Sequence, residues 1–281
     1  MQKIALISDS SCDLSLKTRQ DHNIHIIPTR IIYKDKEFRD GIDITPNEMY
    51  ASLKEEMPTT SLPDSGDTEE LINKLISEGY TQAIIIGVST ELSGTLNSIR
   101  LTCAHFPQIE FFYFDTKTLG YPQGAIVLEA VHMLQDGLSA TDIIHSLTAI
   151  RSRTHGFIAV DTLEFLIRGG RLSKTAGAIG TLLQLKPIIT CSDEGKLYTY
   201  TKSRGRKQSL SKMKEILNGY LTRSKCKVWV LSGDAHEEAK TFLADIKDLP
   251  NITSLSLEDI GSCMGIHTGP GVLGLCIYEE A

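Results

Sequence analysis

The chain has 281 residues, 41% of them apolar and 23% charged, with a formal net charge of −6. That composition excludes a disordered chain and argues against a general nucleic-acid binder, and the length suits one large domain or two ordinary ones. The six cysteines, at positions 12, 103, 191, 226, 263 and 276, include no C-x-x-C pair. That removes zinc ribbons and thioredoxin-type motifs and fits buried thiols in a reducing cytoplasm.

The first apolar run, Ile4–Ile7, is shorter than the apolar region of a signal peptide. It reads as a buried strand followed by the polar turn Ser8-Asp9-Ser10-Ser11. Two β-branched runs, Ile24–Ile27 and Thr29–Tyr33, flank Pro28 and predict extended segments. Thr45-Pro46-Asn47-Glu48 has the capping-box pattern and predicts a helix start. Asp67 is expected to cap a helix over Thr68–Glu78, closed by Gly79. Gln82–Val88 is a continuous apolar run, as in a parallel strand covered on both faces, and a helix is expected to begin near Leu92–Thr95. Phe111–Phe114 predicts a strand, and Gly124–Gln135 and Thr141–Ser152 predict helices. Strands alternating with helices make residues 1–152 an α/β domain of βαβ type.

Residues 153–281 read differently. Phe157–Asp161 predicts a strand, and Pro187–Cys191 and Lys196–Thr201 flank the hairpin signature Asp193-Glu194-Gly195. Helices are expected over Ser209–Leu221 and Glu237–Ile246, the latter capped by Asp234, with strands over Lys227–Leu231 and Val272–Tyr278. This mixture predicts an α+β domain. The stretch Ile260–Tyr278 lacks Asp, Glu, Lys and Arg, but five glycines and a proline make it a glycine-rich loop plus a strand rather than a membrane span. The expected location is cytoplasmic.

Several familiar motifs fail. Gly269-Pro270-Gly271-Val272-Leu273-Gly274 fits G-x-G-x-x-G but precedes a strand, so no helix N-terminus is there for a dinucleotide. No P-loop, H-E-x-x-H or G-x-S-x-G string occurs. Others survive. Ser89-Thr90-Glu91-Leu92-Ser93-Gly94-Thr95 follows a buried strand and opens a helix, which suits either a carboxylate or phosphate site or ordinary capping by Ser89 or Thr90. Thr59-Thr60-Ser61 lies between Pro58 and Pro63 and reads alone as a loop. His267 sits among glycines in Gly265–Gly271. Leu166–Ser173 leads into a segment, Lys174–Leu185, that is uncharged after Lys174 and rich in small residues. Such a segment can approach a neighbouring element or leave room for a slender apolar ligand.

Together these strings resemble the DegV family, bacterial fatty-acid-binding proteins. The matching residues are Ser8-Asp9-Ser10, Thr60-Ser61, Ser93-Gly94-Thr95, Gly169-Gly170-Arg171-Leu172-Ser173, Lys186-Pro187-Ile188 and His267-x-Gly269-Pro270-Gly271, in the family's order. The resemblance implies an N-terminal Rossmann-like α/β sheet domain, a C-terminal α+β domain and a long-chain fatty acid between them. It implies no cofactor and no catalysis of the chain's own. It also implies a separate ATP-dependent fatty-acid kinase that phosphorylates the presented carboxylate for phospholipid synthesis. Carried over by motif, Thr60, Ser61, Ser93, Gly94, Thr95 and His267 would hold the carboxylate. The family's Gln-Pro after Thr-Ser is Leu62-Pro63 here, which leaves open which of Thr60 and Ser61 faces it. Ala176, Ala178, Ile179, Leu182 and Leu183 are the acyl-pocket candidates. A buried chain of about 14–16 methylenes would gain at most roughly 11–13 kcal/mol before binding costs, so affinity would come from the apolar channel and orientation from the polar end. The rival reading is a hydrolase or acyltransferase with Ser93 as nucleophile and His267 as base.

Charge is unevenly spread. Residues 151–207 hold 11 Lys and Arg against 4 Asp and Glu within an otherwise acidic chain. Arg171, Arg204 and Arg206 are the candidates for a docking face toward an acidic kinase or, transiently, an anionic membrane.

Overall fold

The computed structural model describes residues 3–173 and 185–280. The first half runs β1 (Ile4–Asp9), α1 (Leu16–Asp21), β2 (Ile24–Ile27), β3 (Arg30–Ile32), β4 (Glu37–Arg39), α2 (Pro46–Ser52), β5 (Thr59–Ser61) and α3 (Ser65–Ser77). It continues through β6 (Gln82–Gly87), α4 (Thr95–Cys103), β7 (Glu110–Asp115), α5 (Tyr121–Gln135) and α6 (Ala140–Ser152). The second half runs β8 (Thr154–Ala159), α7 (Glu164–Arg168), β9 (Leu185–Cys191), β10 (Leu197–Arg204), α8 (Arg206–Leu221), β11 (Cys226–Gly233), α9 (His236–Ile246), β12 (Ile252–Asp259), α10 (Ser262–Thr268) and β13 (Val272–Glu279).

Three sheets result. A parallel sheet has the order β2-β1-β6-β7, and a mixed sheet has the order β10-β9-β8-β13-β11-β12. A small antiparallel sheet, β4-β3-β5, stands beside them. The central strands of the parallel sheet are apolar on both faces because both faces are covered. Ala5, Ile7, Ala83 and Ile85 pack toward α3 and α4, while Leu6, Ile84 and Ile86 pack toward α5. The same cluster around α5 and α6 takes in Trp229, Leu231, Cys276 and Tyr278 from the mixed sheet. The opposite face of that sheet buries Val228, Val230, Leu273 and Ile277 against Met213 and Leu217 of α8 and Phe242 of α9. Helices α5 and α6 are therefore a shared layer, and one core runs through both sheets. Among the described residues, no helix is long and apolar enough to cross a membrane.

The predicted capping box forms: Thr45 accepts from the Glu48 N–H, and the Glu48 carboxylate accepts from the Thr45 N–H at 2.8 Å. Three local expectations are corrected. Helix α3 is capped by Asp64, which accepts from the Gly66 N–H, because Asp67 is drawn 2.7 Å from Arg30. Asp234 does not cap α9 but takes a left-handed conformation (φ 56°), and Ser232 Oγ accepts the Ala235 N–H instead. The stretch before β13 is not all loop. It contains α10, where Gly265 lets the Met49 and Tyr50 side chains lie directly on the helix backbone. Strand β12, unforeseen in the sequence, is an edge strand in which Ile252, Leu255 and Leu257 are interspersed with Ser and Thr, with a register shift at Thr253.

The carboxyl ends of β1 and β6 meet at Asp9. Its fully buried carboxyl accepts from the Ser11 N–H (3.0 Å), the Val88 N–H (2.8 Å) and Gln123 Nε2 (3.1 Å). Gln123 Nε2 also donates to Ser8 Oγ, which donates to the Ile86 carbonyl. This network fastens α5 to the ends of two neighbouring strands. Asp9→Ala leaves these donors buried without an acceptor. It should cost roughly 3 kcal/mol or more in urea denaturation, with Asp9→Asn milder; equal midpoints for wild type and Asp9→Ala would contradict this role.

Candidate functional site

The loops that leave the carboxyl edge of the parallel sheet converge on the mixed sheet. After β6, the chain turns through Val88–Gly94 before α4 begins. Ser89 Oγ donates to the Gly195 carbonyl at the β9–β10 hairpin tip (2.9 Å), and Thr90 Oγ1 donates to Asp115 at the end of β7 (2.6 Å). Ser89 and Thr90 thus fix the turn instead of capping α4, whose N-cap is Gly94. Ser93 Oγ accepts from the Thr95 N–H (3.2 Å) and pairs with Thr95 Oγ1 (2.8 Å).

Thr60 and Ser61 are in strand rather than loop conformation, because β5 pairs with β3 in the register Ile31–Thr60 and Arg30–Ser61. Alternation turns Thr60 toward α10, where its Oγ1 lies 2.8 Å from His267 Nε2. Leu62, next in the chain, lies against Gly94. His267 is brought there by the last turn of α10, and the Gly169 backbone packs so closely on its Nδ1 side that a Cβ at 169 would overlap the ring. The Gly169 carbonyl accepts from Arg171 Nη1 at 2.6 Å. Burial, reinforced by the Arg171 charge, pushes the His267 imidazole down to about 4, so it is neutral at pH 7.

These groups line a single cavity of about 390 Å³. Thr60, Ser61, Ser93, Gly94, Thr95 and His267 all lie in its wall, as does Arg171. Arg171 is the only Lys or Arg there among the described residues. The rest is largely apolar, with Ile158, Ile189, Leu231 and Ile260 from the mixed sheet and its connections. Sequence reasoning missed these because strand residues facing a cavity carry the same apolar pattern as strand residues facing a core. The expected pocket residues Ala176, Ala178, Ile179, Leu182 and Leu183 lie outside the described residues.

The other arginines part company. Arg204 is exposed at the end of β10. Arg206 is not a free docking cation: it pairs with Glu238 (2.5 Å), lies 3.7 Å from Asp161, and donates to the Ala159 and Gly271 carbonyls. Nor do Ser93 and His267 form a nucleophile–base pair. His267 Nε2 is engaged by Thr60, and among the described residues its Nδ1 has no hydrogen-bond partner to orient it. Among the described residues, no group of His, Cys, Asp or Glu side chains could hold a metal ion.

The profile described as "Uncharacterised protein, DegV family" matches residues 3–280. The chain belongs to the DegV family. It is 45% identical over 280 residues to a DegV domain-containing protein of Clostridium perfringens, covering 100% of both chains. Its fold matches the crystal structure of DegV, a fatty-acid-binding protein from Bacillus subtilis. The TM-score is 0.91, with 28% identity and 100% of both chains covered. It also matches a stearic-acid-binding protein from Eubacterium ventriosum at a TM-score of 0.86, with 28% identity over 99% of this chain and 98% of the other.

Beneath α10 of this DegV protein lies Asp40, 3% exposed, beside Ser10, Ser262 and the Cys263 N–H. Burial pushes its carboxyl up to about 6, and these hydrogen-bonding groups only partly offset that. A raised carboxyl stabilises the fold while protonated, and that contribution is lost as pH rises from about 4 through about 6. Asp40→Asn should remove this loss and gain on the order of 2–3 kcal/mol at pH 7 relative to pH 4. Melting temperatures across pH 4–8 test it; parallel profiles for the two proteins would refute it. Gly169→Ala should displace His267 and weaken ligand binding with little change in melting temperature, checked by ligand titration beside thermal unfolding.

Proposed function

We propose that this protein holds a long-chain fatty acid between residues 1–152 and residues 153–281 and presents its carboxylate to a separate ATP-dependent kinase. The acyl phosphate formed would feed phospholipid synthesis, and the chain itself serves as the carrier. The observation that carries this reading is the cavity, which joins the hydroxyls of Thr60 and Ser93 to a largely apolar interior. A carboxylate leaving water needs several donors. Ser61, Ser93, Thr95 and Thr60 supply hydroxyls, and Arg171 supplies the positive charge that neutral His267 does not. The acyl chain lies along Ile158, Ile189 and Leu231. The fatty acids bound by the Bacillus subtilis and Eubacterium ventriosum relatives support the same ligand class.

Arg204 and Lys202 are exposed within the basic stretch and suit electrostatic steering toward the kinase. Mass spectrometry of lipid extracted from the purified protein should find a stoichiometric long-chain fatty acid, and its absence from protein refolded with excess acid would overturn the reading. Ser93→Ala removes one donor to a charged acceptor, worth roughly 1.5–3 kcal/mol. It should weaken fatty-acid binding about tenfold or more and slow phosphorylation by a purified kinase, with unchanged binding as the contrary result.

A further inference from the structure

The turn that carries Ser93 lies within residues 1–152, and a hairpin from residues 153–281 is fastened to it at Ser89. Ser89 is fully buried, and each of its polar atoms is engaged. Its N–H donates to the Thr118 carbonyl between β7 and α5 (2.8 Å). Its carbonyl accepts from the Leu92 and Ser93 N–H groups (3.0 Å each). Its Oγ donates to the Gly195 carbonyl (2.9 Å) and accepts from the Glu91 N–H (3.3 Å). One backbone hydrogen bond therefore separates Ser93 from Ser89, and one side-chain hydrogen bond separates Ser89 from the tip of the β9–β10 hairpin.

The tip is shaped to this contact. Gly195 is buried with φ 93°, a conformation that favours glycine. A Cβ there would lie 2.3 Å from Ser89 Oγ and 3.1 Å from Lys117 Cα. Two further contacts brace the same tip. Lys196 Nζ lies 3.3 Å from Glu91, and Arg151 Nη2 donates to the Lys117 carbonyl (3.1 Å) and the Ser192 carbonyl (3.4 Å). The Lys196–Glu91 pair is exposed and holds weakly, so the buried Ser89–Gly195 bond is what fixes the turn against the hairpin. On one side of this joint Leu92, Ser93 and Thr118 line the cavity, and on the other Thr190, Cys191 and Leu197 do. A hydroxyl shifted by about an ångström no longer meets its acceptor at hydrogen-bonding distance, so a slip at the joint is felt at Ser93.

We propose that Ser89 is a positioning residue for the carboxylate site: through Gly195, the β9–β10 hairpin sets where Ser93 stands against the ligand head group. This rests on the fatty-acid reading and adds the residue that orients its polar end. The test is binding of octadecanoate and of octadecan-1-ol, the same chain with an uncharged head, to the full-length wild-type, Ser89→Ala and Gly195→Ala proteins, beside thermal unfolding. Ser89→Ala should weaken octadecanoate about fivefold, part of what one hydrogen bond to a charged group supplies, and leave octadecan-1-ol unchanged. Gly195→Ala, which disturbs the same contact from the hairpin side, should give the same selective loss. Equal losses for the two ligands, or a change confined to melting temperature, would make Ser89 a structural residue only and overturn the proposal. Failure of both variants to fold would overturn it as well. Failure of the wild-type protein to bind octadecanoate would instead overturn the fatty-acid reading.

Discussion

The buried carboxyl of Asp9 is the point from which the site is suspended. It is the acceptor for backbone donors after β1 and after β6 and for a side chain of α5. The loops after those two strands carry Ser11 and Ser93, and Tyr121 at the start of α5 closes the same cavity. A buried carboxyl with three donors aimed at it has little freedom to shift, because moving any one element strands a polar group in a low-dielectric interior. The geometry of the hydroxyl cluster is thus inherited from the sheet edge rather than from the loops alone.

The electrostatic character of the cavity follows from burial. His267 would be a natural counter-ion for a carboxylate, but desolvation and Arg171 keep it neutral, so it acts as a hydrogen-bonding partner for Thr60. Asp40 and Asp13 sit on the far side of α10 and near its start, and burial favours their protonated forms. Among the described residues the wall is consequently lined by neutral hydrogen-bonding groups with a single guanidinium. Such a surface suits one anionic head group on an apolar tail better than it suits acid–base chemistry at Ser93.

Much of the fold was legible in the sequence. The continuous apolar runs of β1 and β6, the capping box at Thr45 and the Asp193–Gly195 turn are local signals, and each appears where expected. Failures occurred where a tertiary partner overrode a local preference. Asp67 serves Arg30 instead of a helix cap, and a glycine-rich stretch becomes helical because Tyr50 packs on Gly265. The six residues expected to hold a carboxylate were nameable from ordered motifs, and all six line one cavity. The apolar wall was not, because the patterning of β8, β9, β11 and β13 does not distinguish a core from a hollow.

By itself the sequence determined most of the longer strands, most helix boundaries, the family and the residue types available for binding a carboxylate. These depend on contacts within a few residues or on motif order. Tertiary structure alone decided that Thr60, not Ser93, meets His267 and that Arg206 is held in an ion pair. Each of those depends on groups far apart in the chain, and in a half-buried polar network a displacement of an ångström or two exchanges one hydrogen-bond partner for another.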